Sequence, residues 1–416
     1  SAAEGLFDYI IAQGVYSWVP APVREKTLAI AAANLAPNGI AYVSYNALPG
    51  SGIRLMLREL AFFHTRGIKD PAGKAQRARE LFKILADPMS EDNMPHNVLF
   101  RREFGYVEQS PEFCFRHDIL EEENHAFYFH EFVTAAAKHG LQYVSEPSLW
   151  EMLPATLSPK ARAALGKCEQ LLDMEQQMDF LRFRSFRQTL LCHAATPVRH
   201  QITAKAIEQF AFQPHFRGPG EGVDLTPGVP VKFMLADASH FETPHPFVKA
   251  ALQALSETPG QATGYAALVE EARRRLPPPE RAPEEKVRDE VALMNDLMQL
   301  ASVDMIEIHA EPMGPAVAGS DKPRAAPFTR YQATNSDRVT NWVHEAVALD
   351  LLPRHVIAAC DGNRTRDGIL EVLLTAIANR KLAITDGSQP VTDRQRLEDT
   401  LRPQIRRILA DCVRLG

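Results

Sequence analysis

The chain has 416 residues, of which 45% are apolar and 24% charged, and its formal net charge is −6 at pH 7. This length predicts two to four domains with a sizeable core. The acidic balance and the lack of any apolar run near the roughly 18 residues of a membrane span argue against a membrane protein or a general nucleic-acid binder. The five cysteines have no CxxC spacing, so they favour neither a disulfide framework nor a zinc knuckle and fit the cytoplasm.

The first elements in the chain form a strand, a helix and a second strand. Phe7–Ala12 is a short run of apolar, β-branched and aromatic residues, which is typical of a strand. Pro22 can occupy the first turn of a helix, and Ile40–Tyr45 is a second strand, apolar on both faces. This pattern predicts a buried parallel βαβ unit. A right-handed crossover places both strand ends, at Gln13 and Asn46, on the sheet edge where ligands bind in open α/β folds.

The same stretch resembles a known family. A strand that begins FD, a helix and the pattern L-x-P-x-G are similar to strands four and five of class I S-adenosylmethionine-dependent methyltransferases. The longer string GVYSWVP…GIAYVSYNALPG resembles bacterial methyltransferases that carry a methyltransferase regulatory domain, a group that includes protein-lysine methyltransferases. The resemblance continues in Tyr128–Phe132, His139–Pro147 and Phe186–His193, and more weakly in the C-terminal part of the chain.

The resemblance also implies elements that this sequence does not contain. The family has about three earlier strands and a glycine-rich loop that holds the cofactor, and here Ser1 is followed almost at once by strand four. We therefore expect this half of the domain to precede Ser1 in a longer chain or to have been removed by cleavage, and we favour either over a chain that evolved without it. A half-site must still meet the whole cost of immobilising its ligand. Calorimetry on this segment should therefore detect weak S-adenosylmethionine binding or none.

The next elements complete the predicted sheet. Residues 51–124 are mostly helical in pattern and form an insertion that should cover the ligand edge as a lid. Glu131–Lys138 is a predicted helix, Leu141–Val144 a strand, and Phe186–His193 an antiparallel last strand. All four strands should lie in one sheet, with the first two parallel. Residues 1–195 would then form the C-terminal half of a class I (Rossmann-like) methyltransferase domain.

The remaining chain is predicted to form two α+β units. Three amphipathic helices that close on a strand in residues 196–320 resemble a winged helix and would form a regulatory domain. A linker rich in Pro, Gly, Ala and Ser follows at Gly314–Pro327. Residues 321–416 are predicted to be a second winged-helix-like domain, with helices at Pro353–Cys360, Asp367–Ala378 and Asp393–Val413. The fold class is thus α/β, a partial methyltransferase sheet with helical insertions, followed by two α+β winged-helix-like domains.

Three residues directly after the first strand are candidates for cofactor binding. The resemblance places Gln13, Gly14 and Val15 beside the methionine part of S-adenosylmethionine, and Gly14 would permit a close backbone approach. The family usually has His where this chain has Gln13. The alternative is an ordinary strand-to-helix turn.

Aromatic and amide side chains at the same edge are candidates for the acceptor site. Tyr16, Tyr45 and Asn46 are assigned to the reacting centre, and Trp18 and His130 to substrate or lid contacts. A lysine acceptor has an apolar stem, which aromatic walls suit, and a cation that they can hold. Transfer is a displacement, so positioning matters more than a protein nucleophile. The alternatives are core packing for the aromatic rings and a helix-start role for His130.

Two short motifs are better explained as structural. His130 begins an HExxH pattern, but Thr134 stands where the second His is required, so no metal is expected. Gly218–Gly222 looks like a phosphate loop, but no buried strand precedes it and no helix follows. We therefore expect a surface loop.

A basic run near the end of the predicted methyltransferase domain has two interpretations. Arg182, Arg184 and Arg187 alternate with phenylalanines and could follow nucleic acid or an acidic segment. Glu175 and Asp179 lie close by in sequence, however. We therefore expect a solvated helix face.

The resemblance implies a methyltransferase that uses S-adenosylmethionine and transfers methyl groups to protein lysine side chains, with C-terminal domains that regulate or bind substrate. It implies a protein partner and is compatible with a homodimer, while the net charge and the lack of a membrane-length apolar run argue against nucleic-acid and membrane partners. Two alternatives remain open. One is a non-enzymatic protein-binding module built on a degenerate methyltransferase, and the other is a DNA-binding regulator. The identity of the acceptor, the methylation state and the oligomeric state do not follow from the sequence.

Overall fold

The computed structural model describes residues 5–86, 101, 103–107, 109–200, 203–220, 222–235, 238–258, 260–278, 282–314, 320–341, 344–386 and 389–414. The chain divides into two compact units, residues 1–202 and 203–416. Each unit has its own sheets and hydrophobic core.

A mixed sheet forms the centre of the first unit. Its strands are β1 (Phe7–Ala12), β2 (Leu35–Ala47), β3 (Ala126–Phe127), β4 (Leu141–Ser145) and β5 (Phe186–His193). The order is β1-β2-β5-β4, and β3 pairs with the end of β2. β1 and β2 are parallel, whereas β5 is antiparallel to both β2 and β4. The prediction that the four main strands share one sheet is therefore confirmed.

Helices connect the strands of this sheet. They are α1 (Ala21–Asn34), α2 (Gly52–Thr65), α3 (Pro71–Ala86), α4 (Glu112–Leu120), α5 (Phe129–Ala137), α6 (Leu149–Met152), α7 (Pro159–Leu165) and α8 (Leu171–Arg182). Leu28 of α1 and Phe132 of α5 pack with Val43, Tyr45 and Leu191 of the strands in one buried core. Apolar residues of α2, α3 and α4 form a separate core within the insertion.

β1 differs from the buried strand that its sequence predicts. Tyr9 and Ile11 are 74% and 71% exposed, whereas Ile10 and Ala12 pack against the core. Among the described strands β1 pairs with β2 alone, and the helices lie against only one of its faces. β2 also begins earlier than the predicted Ile40, at Leu35, and its pairing with β1 has a register shift between the Phe7–Leu35 and Tyr9–Ile40 pairs.

The turn after β2 lies tightly against the chain that leads into β5. The backbone N–H groups of Ala47 and Gly50 donate to the carbonyl oxygens of Ser185 and Arg184, each at 2.9 Å. A Cβ atom on Gly50 would overlap the backbone of Phe183 and Arg184. Glycine is therefore required here for close backbone approach.

Replacing Gly50 with alanine is expected to destabilise the first unit by about 1–3 kcal/mol, because neither backbone segment can move without breaking these hydrogen bonds. Urea denaturation followed by circular dichroism measures the change. Gly52→Ala is the matched control, since a Cβ at the first residue of α2 meets nothing within 4 Å. The control should be neutral or slightly stabilising, and equal effects of the two substitutions would contradict the packing argument.

The second unit consists of helices and short sheets. Its helices are α9 (Pro246–Ser256), α10 (Tyr265–Arg275), α11 (Pro283–Ser302), α12 (Pro327–Asn335), α13 (Leu351–Ala359), α14 (Arg366–Ala378) and α15 (Arg394–Arg414). Its strands are β6 (Ala211–Pro214), β7 (Val231–Met234), β8 (His240–Thr243), β9 (Thr263–Gly264), β10 (Ile306–His309), β11 (Arg338–Thr340), β12 (Ala346–Ala348), β13 (Thr385–Asp386) and β14 (Gln389–Pro390). β6 lies between β10 and β9, and the other strands form two-stranded hairpins. Three helices followed by the β13–β14 hairpin give the C-terminal region the α+β character that the sequence predicts.

A cluster of two histidines and a carboxylate lies across the β6–β10 pair. The Glu307 Oε2 atom is 3.8 Å from His215 Nε2 and 3.6 Å from His309 Nε2. The Glu307 carboxylate raises the pKa of His215, and His215 lowers the pKa of Glu307. The stability contributed by His215 is present below its unfolded pKa of 6.5 and is lost as the pH rises through its folded pKa. The contribution of Glu307 is present above its unfolded pKa of 4.5 and is lost as the pH falls through its folded pKa.

Glu307→Gln is therefore expected to lower the stability of the second unit most between about pH 4.5 and 6.5. Denaturation midpoints measured from pH 4 to pH 9 should show a difference from the unaltered protein that shrinks above neutrality. Glu311→Gln, at an exposed carboxylate after β10, is the control and should follow the unaltered protein at every pH. A difference for Glu307→Gln that does not depend on pH would contradict the ion pair.

Candidate active site

The turn after β1 is open. Gln13, Gly14 and Val15 are exposed, and the Gly14 N–H donates to Ser44 Oγ of β2 at 2.7 Å. Gly14 has φ +65°, and a Cβ there would meet nothing within 4 Å. The left-handed backbone thus favours glycine, and space beside it remains free for a ligand. The Gln13 side chain accepts a hydrogen bond from the Tyr42 hydroxyl on β2.

Tyr16 and Tyr45 lie in a buried aromatic cluster behind this turn. The Tyr45 ring stacks on Phe132 with centroids 4.2 Å apart and meets Tyr16 edge-on at 6.2 Å. The Tyr45 hydroxyl donates to Thr189 Oγ1 at 3.2 Å. Burial raises the pKa of Tyr16 to about 12 and that of Tyr45 well above 10, so both are neutral phenols. Their direct contact with an acceptor stays a prediction, and their burial favours a supporting role.

Asn46 presents a free hydrogen-bond acceptor at the end of β2. Its backbone N–H donates to Ser17 Oγ at 2.8 Å, and its Nδ2 donates to Asn124 Oδ1 at 3.1 Å. The side-chain oxygen has no partner among the described residues. Asn46 lies opposite Phe186 in the β2–β5 ladder, and paired residues in an antiparallel ladder point to the same face.

The helical insertion contacts the edge at Trp18. The Trp18 ring lies 4.0 Å from the His117 ring of α4, and the guanidinium of Arg58 of α2 lies 5.9 Å from the Trp18 ring centre. Arg58 also donates to the carbonyl oxygens of Asp118, at 2.9 Å, and Glu121. Together with the Asn46 contact, these interactions place the insertion beside the ligand edge. Its role as a lid stays a prediction, and its residues 87–100 lie outside the described residues.

His130 is exposed at the start of α5. Its ring Nδ1 lies 2.9 Å from Gln176 Oε1 of α8, and its backbone N–H donates to the same oxygen at 3.1 Å. The ring stacks on Tyr128 at 5.7 Å, and the Thr134 hydroxyl donates to the His130 carbonyl. These contacts fit the helix-start alternative, and a substrate contact of His130 stays a prediction.

The expectation of a solvated helix face around the basic run is wrong. Arg187 is fully buried and pairs with Glu146 at 2.7 Å, Glu175 at 3.0 Å and Asp179 at 2.9 Å. Arg184 is also buried, and its Nε lies 3.1 Å from Asp179. Glu175 and Asp179 of α8 face β5 rather than solvent, so the arginines that pair with them are buried.

This ion cluster supports the aromatic cluster described above. Thr189 donates to Glu146 Oε1 at 2.9 Å while it accepts from Tyr45, so hydrogen bonds connect the two clusters. Burial raises the pKa of both Glu175 and Asp179. Sequence reasoning missed the cluster. The two acids one helical turn apart and the polar alternation in an otherwise apolar β5 were the available signals.

Two further properties concern the described residues as a whole. No group of three His, Cys, Asp or Glu side chains among them could hold a metal ion. None of their helices is long and apolar enough to cross a membrane.

The sheet order, with antiparallel β5 between β2 and β4 and an open turn after β1, defines a class I methyltransferase-type α/β unit.

Comparison with known proteins agrees with this class. Residues 114–193 match the family model described as a predicted methyltransferase regulatory domain. Residues 321–416 match that of the PKMT C-terminal winged helix domain. The uncharacterized protein RP789 of Rickettsia prowazekii is 30% identical over 98% of this chain and 75% of its own length. The chain therefore belongs to the bacterial PKMT-type family with a methyltransferase regulatory domain.

Solved structures give the same result. The structure of PKMT2 from Rickettsia typhi matches with a TM-score of 0.85 and 25% identity, and covers 99% of this chain and 82% of that chain. The same protein in complex with AdoHcy matches with a TM-score of 0.84 and 27% identity, over 99% of this chain and 79% of that chain.

Proposed function

We propose that this protein is an S-adenosylmethionine-dependent methyltransferase that acts on lysine side chains of proteins. The observation that carries the proposal is the open Gly14 turn together with the Asn46 side-chain oxygen, which has no partner among the described residues, at the ends of two adjacent parallel strands. The AdoHcy complex of the related PKMT2 supports the choice of cofactor.

The residues after β1 fit one side of the proposed cofactor. The Gly14 turn is exposed and held by Ser44, and no side chain fills the space next to it. We assign Gln13, Gly14 and Val15 to cofactor binding through their backbone and the apolar surface of Val15. When bound, the cofactor supplies an electrophilic methyl group.

The acceptor amine needs to be neutral and aligned for displacement. We assign Asn46 Oδ1 to accept a hydrogen bond from the amine, because its Nδ2 is already held by Asn124 and the oxygen is therefore oriented. The buried phenols of Tyr16 and Tyr45 have raised pKa values. They are assigned to supporting the strand end and the Gly14 turn from the buried core, rather than to taking the proton. Trp18, which contacts Arg58 and His117 of the insertion, is assigned to closing the site on that side.

The winged-helix-like regions, residues 196–320 and 321–416, are assigned to regulation or acceptor binding. We place the protein in the cytoplasm, where its free cysteines would stay reduced.

A methyl-transfer assay with labelled S-adenosylmethionine and lysine-containing proteins, performed on the full-length protein, tests the proposed function. Transfer to lysine is expected, whereas a salt-dependent DNA mobility shift without transfer would favour the DNA-binding alternative instead.

A further inference from the structure

Two buried serines connect the turn after β1 to the end of β2. Ser17 and Ser44 are each 1% exposed. The Gly14 N–H of the turn donates to Ser44 Oγ at 2.7 Å. In the other direction, the Asn46 N–H of β2 donates to Ser17 Oγ at 2.8 Å. Each serine thus accepts a hydrogen bond from the backbone of the other segment, and we call the two residues the serine pair.

The serine pair lies beyond the end of the backbone ladder between the two strands. The last paired residues of β1 and β2 are Ala12 and Val43. Beyond them, serine hydroxyls accept backbone N–H groups of both segments. Because each hydroxyl extends from its own segment, the turn is held at a distance from β2 instead of being paired with it. The turn can therefore stay open while its position relative to the strand end is fixed.

Ser17 also connects the strand end to the helical insertion. Its carbonyl oxygen accepts the His125 N–H at 2.8 Å. The residue before His125 is Asn124, whose side-chain oxygen accepts from Asn46 Nδ2 at 3.1 Å. The backbone of Asn46 is thus held by Ser17 and its side chain by Asn124. A displacement reaction requires such fixed groups, because the reacting atoms have to be aligned at about 3–3.5 Å from each other.

We propose that Ser17 and Ser44 are positioning residues for methyl transfer. Ser44 acts on the cofactor through the Gly14 turn, and Ser17 acts on the acceptor amine through Asn46. Both side chains are buried, so neither hydroxyl has to touch a ligand. The inference rests on the proposed function, because it concerns the same site. The alternative is that the two serines only stabilise the fold.

Ser44→Ala and Ser17→Ala in the full-length protein test the proposal, because the two roles predict different effects. Ser44→Ala should weaken AdoHcy binding about tenfold in calorimetry, as the loss of one hydrogen bond that orders the turn provides. Its kcat at saturating S-adenosylmethionine should be almost unchanged. Ser17→Ala should leave AdoHcy binding almost unchanged and lower kcat by about 10- to 100-fold, because a displacement of about 1 Å is sufficient for such a loss.

Ser51→Ala is the matched control. Ser51 is another buried serine of the first unit, and its hydroxyl donates to the Ser185 carbonyl at 2.6 Å. This bond joins the turn after β2 to the chain before β5, so its loss should lower the melting temperature without changing AdoHcy affinity or kcat. If an alanine variant of the serine pair does not fold, Ser17→Cys or Ser44→Cys should show the same effect, since a thiol has a similar size and is a weak acceptor.

Equal changes in AdoHcy affinity and kcat for the three alanine variants would overturn the proposal, because the serines would then only stabilise the fold. Loss of AdoHcy affinity in Ser17→Ala rather than in Ser44→Ala would overturn it as well. If the unaltered protein binds AdoHcy but methylates no lysine, the proposed function fails, and the AdoHcy affinities alone decide the inference.

Discussion

Arg187→Met is expected to lower the free energy of unfolding of the first unit by about 3–5 kcal/mol, because it leaves three buried carboxylates with a single cation. Glu146, Glu175 and Asp179 each lie within 3.0 Å of the Arg187 guanidinium, whereas Arg184 reaches only part of the cluster. The methionine side chain fills most of the volume, so the loss reflects charge rather than a cavity. Urea denaturation of the first unit measures it.

Arg407→Met is the control for this substitution. The Arg407 side chain is 85% exposed and its ion pair with Asp411 spans 3.8 Å, and exposed pairs of this type contribute about 0–1 kcal/mol. A loss below 1 kcal/mol for Arg187→Met would mean that the buried cluster does not hold α8 against β5. If the variant does not fold, Arg187→Lys, which retains the charge, should recover folded protein.

Asn46→Ala is expected to lower kcat/KM for methyl transfer by about 10- to 100-fold in the full-length protein. A lost hydrogen bond to a charged or reacting group costs roughly 1.5–3 kcal/mol, and the Asn46 oxygen has no other partner among the described residues. Stability should change little, because only the Asn124 bond is lost inside the protein. Steady-state kinetics with labelled cofactor measure the effect.

The control is Asn34→Ala, on the exposed face of α1, where the Asn34 Nδ2 donates to the Ile30 carbonyl at 2.8 Å. This variant should keep its activity within about a factor of two, because surface substitutions change stability by about 0.5 kcal/mol or less. Unchanged turnover in a folded Asn46→Ala variant would remove Asn46 from the reaction.

The sheet could be predicted from sequence because its strands are locally distinct. Phe186–His193 is strand β5 with the predicted bounds, and the parallel order of β1 and β2 follows from the crossover rule. The exposure of β1 could not be predicted, because an apolar sequence does not state how many of its faces are covered. The prediction that Tyr45 and Asn46 share one reacting centre neglects the alternation of side chains along a strand. Neighbouring residues on a strand point to opposite faces of the sheet.

The ion cluster is the clearest limit of prediction from sequence. Arg184 and Arg187 resemble surface residues when only their local charges are considered. Their burial depends on Glu146, which follows β4 and meets Arg187 only once the sheet has formed. Long-range pairing of this type leaves no local pattern. The exposure of Phe183 and Phe186 has the same origin, because the alternating arginines at positions 184 and 187 turn inwards.

The short pairing between β2 and β3 has an evolutionary consequence. The Leu48 N–H donates to the Phe127 carbonyl at 2.9 Å, and Asn46 pairs with Ala126, so the insertion leaves and re-enters the sheet at adjacent points. Its helices also have a hydrophobic core of their own. Such a cassette can be shortened, enlarged or exchanged between relatives without rebuilding the strands. The insertion can therefore vary in length or sequence while the strands that it joins stay unchanged.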